Sequence, residues 1–188
     1  MLGVGEVFRM LRNPARLSAV TGLMLIAGPA LAAGTAAAFD YPSYQAADLD
    51  QIARRKPQLG LGADIPSVQS VRFDATLVEQ ADECPTKYLK WAMKKSGIAK
   101  DAIASTPITR CITVKSAKGR EYPLFIQDAL TASLAKDIQP GGKLTVYGSV
   151  VYFAARGPGI VVNEYSTDAA VTAPSHSGVD LSATAKKK

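Results

Sequence analysis

Gly141-Gly142-Lys143-Leu144-Thr145-Val146-Tyr147-Gly148-Ser149-Val150 sets Leu144, Val146, Gly148 and Val150 at a period of two, and Tyr152 continues the row. That spacing belongs to a strand with one face buried. Pro140-Gly141-Gly142 ahead of it is a stop signal, and the segment it stops reads as a helix. Leu130, Leu134 and Ile138 fall at i, i+4 and i+8, and Asp128 is placed to cap the first turn. Downstream, Arg156-Gly157-Pro158-Gly159 is a turn, and Ile160 to Tyr165 reads as a closing strand.

The same alternation recurs upstream. Val71, Phe73, Ala75 and Leu77 alternate with Arg72, Asp74 and Thr76 in a first strand. Ile108 to Lys115 carries Ile112 and Val114 on one face, Lys118-Gly119 turns, and Tyr122, Leu124 and Ile126 line a third strand. The second and third strands thus form a hairpin. Between the first and second lies a helical insertion, Thr86 to Ser96, with Tyr88, Leu89, Ala92 and Met93 as its apolar stripe and Gly97 as its stop.

Strand, strand, strand, helix, strand, strand is the element order of the OB-fold, a five-stranded, partly open barrel. The Gly141 to Val150 run resembles the fourth strand of many OB domains, where a glycine pair enters the strand and a mid-strand glycine permits the bend. The resemblance is one of topology and covers about residues 68–167. It implies a mainly β barrel with a helix between strands 3 and 4, and it could place the chain among exported bacterial OB-fold proteins. The sequence departs from the pattern in its helical insertion after strand 1 and in a first strand without glycine. An α+β sandwich built from the same hairpins is the alternative.

Either side of residues 67–168 the composition changes. Arg9, Arg12 and Arg16 precede an uncharged stretch from Leu17 to Ala33, centred on Leu23-Met24-Leu25-Ile26. Ala30-Leu31-Ala32 and Ala36-Ala37-Ala38 offer small-residue cleavage sites, near 32/33 or 38/39. Residues 1–33 therefore read as a secretory signal, the alternative being an uncleaved inner-membrane anchor. The chain has 22 Lys+Arg against 16 Asp+Glu, and removing 1–33 leaves 19 against 15. With Lys186, Lys187 and Lys188 ending the chain, the basic character lies largely at the termini.

Residues 34–66 read as an extended arm with a short helix-compatible stretch from Ala46 to Arg55. The arm carries Phe39, Tyr41, Tyr44, Leu49 and Ile52, many apolar groups for a spacer. Residues 169–188, rich in Ala, Ser and Thr, read as a disordered basic tail holding the single histidine, His176.

Cys84 and Cys111 are the only cysteines and lie in the exported part, so one structural disulfide is expected, closing the insertion onto the second strand. No metal site follows from one histidine and two cysteines, and no cofactor is implied. The chain lacks G-x-S-x-G, H-E-x-x-H and G-x-x-x-x-G-K-[ST], so no catalytic residues are assigned.

Two surfaces remain for binding. Tyr41 and Tyr44 on the arm, with Lys87, Lys90, Trp91 and Lys94 on the insertion helix, suit contacts with other envelope proteins. An anionic lipid or polymer fits the same ridge. Thr113, Lys115 and Phe125 on the outward side of the hairpin, with Arg156 at the turn, form a candidate ligand face. One outward aromatic is too few for stacking a nucleic-acid strand, which is not an expected partner. The expectation is an exported, non-catalytic envelope protein acting through protein contacts. A periplasmic binder of an oligosaccharide or small ligand is the alternative, and the oligomeric state is open.

Overall fold

A computed structural model describes residues 39–55, 67–152, 157–167 and 178–185. Strands β2 (Gln69–Glu83), β3 (Arg110–Lys115), β4 (Glu121–Ile126), β5 (Lys143–Tyr152) and β6 (Pro158–Ser166) follow the order β2-β3-β4-β6-β5, and β5 pairs back onto β2. The sheet therefore closes into a five-stranded barrel. Every pairing is antiparallel except β4 with β6, which is parallel. A two-residue strand, β1 (Gln45–Ala46), pairs in parallel with β2 outside the barrel. This is an OB-like arrangement, and the sandwich alternative falls with the β2–β5 closure.

The alternation read from the sequence fills the interior. Val71, Phe73, Ala75 and Leu77 face Ile112, Val114, Leu124, Ile126, Leu144 and Val146 in one core. Helix α4 (Asp128–Asp137) adds Leu130 and Leu134 to it, and helix α1 (Leu49–Arg54) adds Leu49 and Ile52.

The first strand is twice as long as its apolar run. Without glycine, β2 bends through register shifts at Leu77/Glu79 and Glu79/Asp82, so bulges give the curvature that a glycine gives elsewhere. In β5 the bend comes where expected. A Cβ at Gly148 would lie 2.8 Å from Ile160 Cγ2 and 3.1 Å from the Val161 carbonyl oxygen, so only glycine admits β6 this closely. Beside it the register jumps from Tyr147–Glu164 to Gly148–Val162, which leaves Asn163 as a bulge residue.

The insertion after β2 holds two short helices rather than one, α2 (Leu89–Lys95) and α3 (Lys100–Ser105). Leu89, Ala92 and Met93 are buried with Ile98, Ile108, Val151 and Val161 in a second core against the outer surface of the barrel. Tyr88, expected in the stripe, is 47% exposed, because α2 begins one residue after it.

Asp128 does not cap α4. Gln127 is the N-cap residue and makes no side-chain cap bond. The Asp128 carboxylate instead accepts from the Thr109 N–H at 2.8 Å and the Thr109 hydroxyl at 3.0 and 3.1 Å, tying the start of α4 to the entry of β3.

The arm is not a free docking segment where it is described. Asp48 caps α1, accepting from the amides of Asp50 (2.8 Å) and Gln51 (3.4 Å), and α1 packs into the barrel core. Residues 178–185 likewise fold onto the barrel, with Leu181 fully buried in the second core. The expectation of a disordered tail fails there for the same reason: a single leucine and a row of hydrogen bonds suffice to dock it. The secretory segment, His176 and Lys186 to Lys188 lie outside the described residues.

Candidate interaction surface

Cys84 and Cys111 form the expected disulfide, 27 residues apart in sequence, which fits an oxidising, exported environment. It joins the end of β2 to β3, so α2 and α3 leave and rejoin the barrel at a single staple. Among the described residues no helix is long and apolar enough to cross a membrane.

On α2 the exposed side reads as the sequence implies. Trp91 is 44% exposed next to Tyr88, and Lys87, Lys90, Lys94 and Lys95 are exposed around them. The Lys87 ammonium lies 5.6 Å from the Tyr88 ring centroid. None of these lysines makes an ion pair with a described residue. Two aromatic rings and four positive charges thus lie within residues 87–95, on α2 and the turn that leads into it, facing water. Exposed Trp and Tyr ringed by charge are the side chains most enriched at interface hot spots.

The other two residues assigned to this surface lie elsewhere. Tyr44 is 3% exposed, and its hydroxyl accepts from the Asn163 side-chain amide at 2.9 Å. Burial holds its phenol well above the ordinary range. Tyr41 is half-buried against Tyr147, ring centroids 5.0 Å apart, and burial, then the nearby Glu164 charge, pushes its pKa up to about 12. With Phe39 these rings form a four-membered aromatic cluster on the outside of β5. They hold the arm to its own barrel, so Tyr44 is not a partner-facing residue. An amphipathic arm gives the same pattern whether it docks in cis or in trans, and sequence alone does not separate the two.

The hairpin face is divided. Thr113 and Phe125 border a groove of about 910 Å³ that Glu79, Asp82 and Glu83 make acidic. The Thr113 hydroxyl donates to Glu79 Oε2 at 2.6 Å. Phe125, expected to stand free, is half-buried because the second core packs against it. Lys115 lies outside this groove, beside a smaller hollow of about 420 Å³, and pairs with Glu121 at 3.3 Å. Arg156 is outside the described residues.

The two cations of the β3–β4 turn are also engaged within the chain. Lys118 meets Asp48 at 2.6 Å and Arg120 meets Asp50 at 3.7 Å. Asp50, buried, also accepts from the Tyr122 hydroxyl at 2.7 Å, and that bond leads the causes holding its carboxyl below the usual range. This face therefore turns carboxylates outward, while Lys115 pairs with Glu121 and Lys118 and Arg120 pair with the arm. Compared with protein-family models and with the curated proteins, the chain matches none.

Proposed function

We propose that this is an exported, non-catalytic protein of the cell envelope, in the periplasm, that works by holding another protein against the exposed side of α2. The observation that carries the reading is the pairing of Trp91 and Tyr88, both nearly half exposed, with four lysines that no described carboxylate neutralises. A partner face with carboxylates around an apolar recess complements it, and desolvating the Trp91 ring supplies the anchor. The disulfide supports the exported setting.

The test is a photo-crosslinking side chain at position 91 in intact cells, with position 136 on α4 as the control. A discrete adduct from 91, lost on Lys90→Glu with Lys94→Glu, is expected. The same adducts from both positions, or none from 91, sink the reading.

One observation favours a second reading, a binder of an oligosaccharide or small ligand: the groove beside Phe125 lies on the hairpin face that OB-like barrels use for ligands. Its carboxylates suit a ligand offering hydroxyl or amine donors. Titrating the protein with neutral and amine-bearing oligosaccharides, with and without Phe125→Ala, separates this reading from the first.

A further inference from the structure

The C-terminal segment occupies a slot whose chemistry reads a peptide backbone. The Gln127 side chain meets Val179 from both sides: its Oε1 accepts from the Val179 N–H at 2.8 Å, and its Nε2 donates to the Val179 carbonyl at 2.7 Å. A side-chain amide used in this way copies a neighbouring strand, and it pairs with an extended chain whatever residue stands there. Gln127 is itself fixed by donating to Asn163 Oδ1 at 3.2 Å, and Asn163 donates to Ser149 Oγ at 2.7 Å and to the Tyr44 hydroxyl. The reader is therefore pre-set by a buried polar row that begins at the β6 bulge.

Two side-chain positions add sequence preference. At Gly178 a Cβ would run into the Asn163 carbonyl oxygen, so only glycine passes. Three residues on, Leu181 is fully buried in the apolar cluster formed by Met93, Ile98, Val151 and Val161. Between them the Asp180 carboxylate accepts from the Ser182 hydroxyl at 2.6 Å and the Ala183 N–H at 3.1 Å, turning the chain after the leucine. Val179 points outward and is 40% exposed.

We propose that this slot is a recognition site for a peptide of the pattern Gly-x-x-Leu, and that the protein's own C-terminal segment is its resident, exchangeable occupant. The partner chemistry follows from the occupant: a segment with glycine at the close approach, any residue at the next position, and leucine for the apolar hole. Eleven residues, 167–177, join the occupant to β6 in sequence. Being covalently attached, the resident segment competes intramolecularly, so a competing peptide needs either high affinity or a weakened resident. The slot faces the barrel beneath α2 and is separate from the Trp91 surface.

A fluorescent peptide with the sequence of residues 178–185 tests this against the full chain. Leu181→Asp empties the apolar hole of its resident, and the peptide is expected to bind this variant at least about tenfold more tightly than the wild-type chain. Adding Gln127→Ala to that variant is expected to abolish the gain, as is replacing the glycine of the peptide by valine. Equal binding to all the chains, or to none, overturns the proposal.

A second measurement needs no variant. Amide exchange in the wild-type chain is expected to release the Val179 amide at least about tenfold faster than the barrel amide of Val162, by opening of the segment alone. Exchange of both only on global unfolding shows the segment to be a fixed part of the fold and overturns the proposal.

Discussion

Asp50 shows how much one carboxylate fastens. It sits in the first turn of α1, buried, yet reaches Tyr122 on β4 and Arg120 at the hairpin, so a local helix residue ties the arm to the barrel across 72 positions of sequence. Its folded pKa lies below the ordinary value, chiefly through the Tyr122 hydroxyl. A carboxyl depressed on folding lends stability that is present above its unfolded pKa of about 3.9 and lost as pH falls through the folded value. Tyr122→Phe removes the leading cause. The variant is expected to melt below the wild type at neutral pH, and the gap is expected to narrow as pH drops below about 4. Melting curves across that range check it, and a gap that stays constant with pH rules the linkage out. None of this pairing was legible in the sequence. Tyr122 reads there as an inward strand residue, and Lys118 reads as part of a turn, because patterning reports burial and not the partner of a polar tip.

At the level of elements, what decides legibility is whether a segment's pattern contains its own answer. Val71 to Leu77, Tyr122 to Ile126 and Leu144 to Tyr152 carry a period of two and α4 carries its apolar row, so the order of these elements is legible in the sequence. The extent of β2 was not, since its second half runs Glu79-Gln80-Ala81-Asp82-Glu83 through two bulges that break the alternation. Helix α3 escaped for a related reason: six residues with no capping side-chain bond give too little periodicity to detect. Arm and tail are harder still, because their apolar residues say that something is covered without saying what. The arm is held to β5 chiefly by rings, with Tyr147 touching Phe39, Tyr41 and Tyr44 at 6.3, 5.0 and 5.6 Å. Tyr147→Ala is expected to loosen the arm while the barrel persists. Limited proteolysis should then cut within residues 39–55 about tenfold faster than in the wild type, with unchanged fragments from the barrel. Uniform acceleration across the whole chain would show instead that the rings support the barrel itself.

For the whole molecule, the question is what holds a helical insertion to a barrel that closes without it. The barrel has its own core and a continuous circuit of paired strands, whereas α2 and α3 are short and bury a smaller cluster on its outer surface. Short helices of this kind gain little from propensity and depend on tertiary contacts and on being confined. The Cys84–Cys111 bond supplies the confinement, closing the 27-residue stretch that contains both helices. On the chain-entropy account such a loop contributes about 3 kcal/mol. For a domain of this size each kcal/mol moves the midpoint by about 2–4 °C, so Cys84→Ser with Cys111→Ser is expected to lower it by about 6–12 °C. The location of the loss is more telling than its size. If the staple serves the insertion, the double variant keeps the far-ultraviolet strand signal at room temperature while Trp91, the single tryptophan, changes emission before the barrel melts. A reductant should bring the wild type to the same curve and leave the variant unmoved. One coincident transition for Trp91 and the strands, in both forms, would instead mean that the insertion and the barrel fold as a single cooperative unit and that the disulfide stabilises them together.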